Sequence, residues 1–202
     1  MSVTGTVHVV CPACEREHDV TLVQSIHAEK DADAKRRLLA GELNVLACEC
    51  GKRTQLAANV VFHDPAKRAY LRVVPGYGEE SLAEAALQFG AAGVTGVARL
   101  VPTLNALVEK VKILDAGLED WAIELAKVVL LATIGDLDRV LLFDRLEGTA
   151  LRWVLFDEAG AAPQGMASPI AAYDHIIASR SAPTGYQIDR AWAVEAARSL
   201  LN

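Results

Sequence analysis

Hydrophobic and polar residues alternate along the first 78 residues in the manner of β-strands. Apolar side chains at every second position in Val7–Val9 and Val20–Ile26 predict the two arms of a β-hairpin. Further strands are predicted over residues 43–47, 55–62 and 69–74, and a short helix is predicted over residues 31–41. The segment from Pro75 to Gly78 has the composition of a boundary between domains.

Beyond residue 78 the apolar positions repeat with the period of a helix. Helices are predicted over residues 81–89, 103–114, 118–134, 173–180 and 191–201, and two paired strands over residues 139–146 and 150–157. The short loop near Gly117 favours antiparallel packing of the second and third of these helices. The pattern as a whole predicts an α+β protein with two domains, residues 1–78 and 79–202.

Four cysteines form two close pairs, Cys11 with Cys14 and Cys48 with Cys50. A structural zinc site has four tetrahedral ligands, and two knuckles of the chain can supply two thiolates each. We therefore expect residues 1–78 to form an antiparallel zinc-ribbon-like domain in which the four cysteines bind one structural Zn²⁺. The second pair is one residue shorter than C-x-x-C, and Gly51 favours the tight turn that it needs.

The cysteine pattern leaves other chemistries open, namely a dithiol redox centre, two disulfides or an iron–sulfur site. A redox C-x-x-C of the thioredoxin type begins a helix, whereas Cys11 follows a strand-like run, and this favours zinc. His8 and His18 lie near the first pair. They are reserve ligands if Cys50 does not reach the ion, because zinc also accepts imidazole nitrogen.

Charge separates the two predicted domains. Residues 1–78 carry ten Lys/Arg and nine Asp/Glu, whereas residues 79–202 carry ten and seventeen. A ribbon that binds nucleic acid is expected to be basic, so this balance does not favour nucleic acid, although clusters such as Lys35–Arg37 keep it as an alternative. The start of the sequence lacks the features of a secretory signal, and no apolar run approaches about 20 residues. We expect a cytoplasmic protein without a membrane segment, which fits reduced thiols.

The order of several motifs resembles that of bacterial CpXC-domain proteins. The motifs are Cys11-Pro-Ala-Cys14, Leu38–Asn44, Cys48-Glu-Cys-Gly51, Phe62-His-Asp64 and Tyr70–Pro75, and the helical run over residues 104–120 resembles the segment that follows the ribbon in longer members. The resemblance implies zinc binding and a bacterial cytoplasmic setting, and it implies no particular reaction. Family members carry a second C-x-x-C-G where this chain has the shorter Cys48-Glu-Cys50.

The weak catalytic candidates are His63, Asp64 and Asn44. A carboxylate beside an imidazole can orient a general base, but adjacent residues of a strand face opposite sides. The alternative is that Asp64 begins a surface turn at Pro65 and that Asn44 caps a backbone group. We favour this structural interpretation.

The sequence therefore favours a non-catalytic adaptor that binds another protein or a second copy of itself. A hydrolase-like enzyme that uses His63, Asp64 and Asn44, a nucleic-acid-binding ribbon and a redox protein are the alternatives. No recognisable catalytic set is present, so the sequence does not favour an enzyme, and the hydrolase is kept only as an alternative.

Overall fold

The computed structural model describes residues 3–156 and 163–198 of the protein. Two compact units are found, residues 1–108 and 109–202. The strands are β1 (Thr4–Val10), β2 (Glu17–Val23), β3 (Ser25–His27), β4 (Val45–Ala47), β5 (Arg53–Gln55), β6 (Val61–Asp64), β7 (Ala69–Val73), β8 (Val97–Val101), β9 (Val140–Glu147), β10 (Ala150–Phe156) and β11 (Gln164–Pro169). The helices are α1 (Ala32–Leu39), α2 (Glu79–Ala91), α3 (Leu104–Asp115), α4 (Asp120–Thr133), α5 (Ala171–Ser179) and α6 (Arg190–Arg198).

Two antiparallel hairpins form the ribbon part of the first unit. Strands β1 and β2 pair from Thr4 opposite Val23 to Val10 opposite Glu17. The shorter strands β4 and β5 pair from Val45 opposite Gln55 to Ala47 opposite Arg53. Each hairpin has one cysteine pair at the end where its two strands are connected. The predicted antiparallel ribbon is confirmed.

A mixed four-stranded sheet in the order β3-β6-β7-β8 forms the rest of the first unit's core. Strands β6 and β7 are antiparallel, whereas β3 pairs with β6 and β8 pairs with β7 in parallel. One face carries fully buried side chains, among them Phe62 and Leu71, and the opposite face carries partly exposed ones, among them His63 and Tyr70. This alternation follows from the two-residue period of a strand.

The second unit packs helices onto an antiparallel sheet in the order β11-β10-β9. Leu151 and Trp153 on β10 are buried in one core with Ile123 and Leu125 of α4. Helix α4 is buried along most of its length because α5 and α6 also pack against it.

Five charged side chains are buried together in the second unit. Lys110 Nζ lies 3.0 Å from an oxygen of Asp120 and 3.0 Å from an oxygen of Glu124. Lys127 Nζ lies 2.9 Å from Glu124 and 3.1 Å from Glu109. The Glu109 carboxylate also accepts a hydrogen bond of 2.6 Å from the backbone N–H of Phe143. Each ammonium group is thus shared between carboxylates, as buried charges require.

The ion pairs set the direction of the pKa shifts in this cluster. Burial alone would raise the pKa of Glu124, but the charges of Lys110 and Lys127 outweigh burial and hold that pKa below its usual value. Burial alone would lower the pKa of Lys110, and the carboxylates of Glu124 and Asp120 raise it instead. Both shifts keep Glu124 and Lys110 ionised at neutral pH, whereas burial outweighs the charge of Lys127 and raises the pKa of Glu109. We call these five residues the buried charge network.

The structure corrects two sequence-based expectations about the elements. The strand predicted over residues 55–62 is divided between β5 and β6, which belong to different sheets. Strands β8 and β11 were not predicted, and β8 pairs with β7, which places residues 97–101 in the same compact unit as the ribbon. Asp157 and residues 199–201, at the ends of a predicted strand and helix, lie outside the described residues.

Candidate metal centre

The two hairpins bring all four cysteine sulfurs into one cluster. Cys11 follows β1, and its backbone N–H donates to Arg16 O at 2.9 Å, which closes the first knuckle. Cys48 follows β4, and the backbone N–H of Gly51 donates to Cys48 O at 2.9 Å, which closes the second. Gly51 has a φ of 87°, a left-handed conformation that glycine adopts without strain, as the tight turn predicts.

The geometry of the sulfurs fits a tetrahedral ion. The four Sγ atoms all lie within 4.8 Å of one another. Cys11 Sγ is 3.7 Å from Cys50 Sγ, and Cys14 Sγ is 3.6 Å from Cys48 Sγ. With metal–sulfur bonds of about 2.3 Å, two ligands of a tetrahedral site lie about 3.8 Å apart. These four cysteines can therefore hold a metal ion, and the shortened second knuckle still brings Cys50 to the cluster.

The cluster has a buried side and an exposed side. Cys11 and Cys48 are buried, whereas Cys14 and Cys50 are exposed. Leu46 packs with the buried pair, and Val9, Val20 and Leu56 pack against these three residues. The hairpin side chains therefore form a small apolar support beneath the metal centre, and the metal would link the two knuckles above it.

The surroundings act on the two buried thiols in opposite directions. Backbone N–H groups of Ala13 and Cys14 stabilise the thiolate of Cys11 and lower its pKa to about 6. The backbone N–H of Cys50 lowers the pKa of Cys48, but burial and hydrogen bonds with neighbouring thiols outweigh it and raise that pKa to about 12. A metal ion must therefore displace a proton from Cys48 at neutral pH, since thiolates are the ligands.

Polar side chains surround the cysteines without joining the four-sulfur set. His18 Nε2 lies 3.3 Å from Cys48 Sγ, so this reserve ligand is within hydrogen-bond distance of a sulfur. His8 instead contacts Asp19, with Nδ1 and Oδ1 3.0 Å apart. The Arg16 guanidinium forms a salt bridge with Glu49, which connects the first knuckle to the second.

The three weak catalytic candidates have separate surroundings. Asn44 lies in the left-handed region with a φ of 54°. Its side chain accepts a hydrogen bond from Val23 N at 2.8 Å and donates one to Val23 O at 2.9 Å. Asp64 Oδ1 accepts a hydrogen bond from the backbone N–H of Lys67 at 3.1 Å, which stabilises the turn after β6. Asp64 therefore stabilises its own turn, and Asn44 connects the segment before β4 to the end of β2.

His63 lies on the opposite face of its strand from Asp64. It contacts His27 and Tyr70, with ring centroids 5.4 Å from each. Arg68 and Tyr70 line a cavity with His63. The sequence motifs do not point to Arg68 or Tyr70. The two-residue alternation of β7 is the signal that places Tyr70 on the partly exposed face.

No helix among the described residues is long and apolar enough to cross a membrane.

Comparison with protein families matches residues 9–127 to the family described as CpXC protein. Neither the curated proteins nor the solved structures give a match. The matched range covers more than half of the 202 residues and includes all four cysteines. The chain belongs to the CpXC protein family.

Proposed function

We propose that the protein is a zinc-binding, non-catalytic interaction protein in which Cys11, Cys14, Cys48 and Cys50 hold one structural Zn²⁺. The observation that carries the metal proposal is the convergence of all four sulfurs within 4.8 Å. Four thiolates fill a tetrahedral shell and leave no open position for a substrate, as in structural zinc sites. A bacterial cytoplasm would keep these thiols reduced, and we infer that setting for the protein.

The choice of zinc depends on the ligand chemistry. An all-thiolate tetrahedral set suits zinc and iron, and Mg²⁺ and Ca²⁺ prefer oxygen. An iron–sulfur cluster needs room for bridging sulfide between its iron atoms, whereas a single ion is bonded directly by all four sulfurs. Sulfur separations of 3.6 and 3.7 Å suit one ion.

The metal proposal is tested by elemental mass spectrometry of the untagged protein with thiols counted in parallel. We expect one zinc per chain and no thiol that reacts rapidly until a chelator is added. The matched variants are Cys50→Ser and Cys11→Ser, which should both lower the zinc content. A protein that holds no metal after purification with zinc in the medium, and that carries a disulfide or a reactive dithiol, would contradict the proposal.

An interaction role is supported by exposed apolar side chains in the second unit. Of the seven large hydrophobic side chains exposed in the described part of the chain, four lie between residues 129 and 140: Val129, Ile134, Leu137 and Val140. Val129 and Leu137 line an open groove of about 530 Å³ between α4 and α6. Apolar residues concentrated at one place are a common feature of protein-interaction surfaces.

The interaction role is tested by light scattering after size exclusion, followed by affinity capture with the purified full chain. A partner or second copy that binds wild type should lose affinity when Leu137→Ser is introduced. Leu87→Ser is the matched control, since Leu87 is 75% exposed on α2. A protein that stays monomeric and captures no partner, or a partner that both variants retain equally, would contradict this use of the surface.

A further inference from the structure

A second site is suggested by a cavity at the partly exposed face of the four-stranded sheet. The cavity has a volume of about 400 Å³. Its polar side chains are His63 from β6, Arg68 from the following turn, Tyr70 from β7 and Thr95 from the loop after α2. Ligand pockets commonly have volumes of about 300 to 1,000 Å³, so the cavity can accept a small organic molecule.

A row of aromatic rings crosses this face of the sheet. His27, His63 and Tyr70 are direct cross-strand neighbours, since β3 pairs with β6 and β6 pairs with β7 in that register. The rings contact in sequence, with centroids 5.4 Å apart between each pair. Tyr70 also meets Phe89 of α2 edge to face at 5.2 Å. Two members of the row, His63 and Tyr70, line the cavity, and their rings form an aromatic wall there.

Several polar groups of this row have no partner in the described structure. Nδ1 of His27 is buried without a hydrogen bond among residues 3–156 and 163–198. The same ranges supply no hydrogen bond to the His63 ring or the Tyr70 hydroxyl. His27 does not line the cavity, whereas His63 and Tyr70 do and are half-buried, so the His63 ring and the Tyr70 hydroxyl can hydrogen-bond a ligand there.

The charge of the residues that line the cavity indicates the class of ligand that it can bind. Arg68 forms no ion pair with any residue that the structure describes, and none of the residues that line the cavity is acidic. Asp64, the nearest acid in sequence, is buried on the other face of β6 and accepts its hydrogen bond from Lys67 N. The cavity thus combines one permanent positive charge with neutral hydrogen-bonding groups, which favours an anion.

The backbone holds Arg68 in an unusual position. Arg68 has a φ of 50°, in the left-handed region where glycine or asparagine would avoid strain. Its carbonyl accepts a hydrogen bond from Val97 N at 2.9 Å, and Gly96 approaches so closely that an added Cβ would lie 2.2 Å from that oxygen. The turn and the loop after α2 are therefore fixed against each other. Strained backbone positions cluster at ligand sites, among other functional sites.

We infer that this cavity binds a small organic phosphate, with Arg68 pairing to the phosphate group. The imidazole of His63 and the hydroxyl groups of Tyr70 and Thr95 supply further hydrogen bonds. These groups come from three separate segments, which suits the several oxygens of a tetrahedral phosphate better than a planar carboxylate. The volume exceeds that of inorganic phosphate, and the aromatic wall leaves a surface for the organic part. The site lies apart from the four cysteines in sequence and does not depend on the proposed metal.

The experiment is an NMR titration of the ¹⁵N-labelled full chain in 150 mM sodium chloride, with metal content measured for each variant. The probes are phenyl phosphate, inorganic phosphate and benzoate. We expect saturable shifts at the amides of Gly93 to Gly96 and at His63, with phenyl phosphate binding more tightly than the other two probes.

Two variants remove the same charge from the same turn. Arg68→Asn should weaken phenyl phosphate at least about tenfold, since a charge-assisted hydrogen bond is lost. Asparagine tolerates the left-handed backbone, so this variant is expected to fold. Lys67→Asn is the matched control, because Lys67 does not line the cavity, and it should keep the wild-type affinity. Tyr70→Phe keeps the ring and should weaken binding a few-fold.

Three results would overturn the inference. The first is the absence of saturable shifts with any probe, and the second is an equal loss of affinity in Arg68→Asn and Lys67→Asn. The third is tighter binding of benzoate than of phenyl phosphate, which would identify a carboxylate site.

Discussion

Replacing Lys110 with methionine tests the buried charge network of the second unit. The Lys110 ammonium lies 3.0 Å from Asp120 and Glu124 and donates to Ile188 O at 2.7 Å. Methionine has nearly the same length and no charge. The variant Lys110→Met therefore keeps the packing and leaves two buried carboxylates without this shared cation.

The expected loss follows from the three contacts. Removing one partner of a buried ion pair costs about 3 to 5 kcal/mol, because an uncompensated charge remains. Lys127 still lies 2.9 Å from Glu124, which places the effect toward the lower limit. The Ile188 carbonyl also loses its donor, a cost of about 1 kcal/mol. We expect a loss of about 3 kcal/mol or more in the free energy of unfolding, and a decrease of about 12 °C or more in Tm.

Tryptophan fluorescence during urea unfolding measures this loss selectively. Trp121, Trp153 and Trp192 are the protein's three tryptophans, and all belong to residues 109–202. The control is Arg152→Met, which removes an exposed ion pair with Glu147, where N and O are 2.6 Å apart. Exposed pairs contribute only about 0 to 1 kcal/mol. A loss in Lys110→Met no greater than that of the control would refute the argument that the network stabilises this unit.

Other measurements test separate parts of the structure. Zinc affinity should weaken as pH falls, because the metal must displace a proton from Cys48, whose pKa is about 12, and because Cys11 is also protonated below its pKa of about 6. Competition with a zinc indicator at several pH values measures this affinity, and an affinity independent of pH would contradict the prediction. The hydrogen bond from Lys112 lowers the folded-state pKa of Asp144 below 3.8, so the ionised Asp144 contributes to stability above that pH and loses this contribution as pH falls through the folded pKa. The free energy of unfolding in urea should therefore depend less on acid pH in Asp144→Asn than in wild type, and an unchanged dependence would contradict this role of Asp144. Gly96→Ala should destabilise the first unit by about 2 kcal/mol or more, because φ is +94° and the new Cβ would meet Arg68 O. The control is Gly78→Ala, whose new Cβ would have no atom within 4 Å. Far-UV circular dichroism during denaturation compares the two variants, and equal losses of stability would contradict the close approach at Gly96.

The sequence predicted the convergence of the cysteines better than it predicted the sheets. Cysteine spacing limits the possible geometry to two knuckles, and the four sulfurs meet as expected. Strand periodicity, in contrast, does not identify pairing partners. The apolar run that includes Val97 was not recognised as a strand, because it is short and its parallel partner β7 lies across an intervening helix.

The cavity was missed for a related reason. His63 was paired with Asp64 because the two are adjacent in sequence, whereas the register of β6 and β7 places His63 beside Tyr70. Arg68 belongs to a turn whose left-handed backbone is not visible in its residue type, since arginine does not signal that conformation. Side chains that become neighbours through the pairing register of strands can be identified only when the folded sheet is known.

The cysteine cluster has one exposed side, since Cys14 and Cys50 are exposed residues and Cys11 and Cys48 are buried. An incoming thiol, chelator or oxidant would therefore meet the bound ion from one direction. Exchange would begin with the Cys14 and Cys50 bonds, while the other two sulfurs kept the ion attached to the apolar support. Such a centre can bind its metal tightly and still exchange it quickly. The attacking ligand would approach and the ion would leave from the same exposed side, so exchange would not require unfolding of the ribbon.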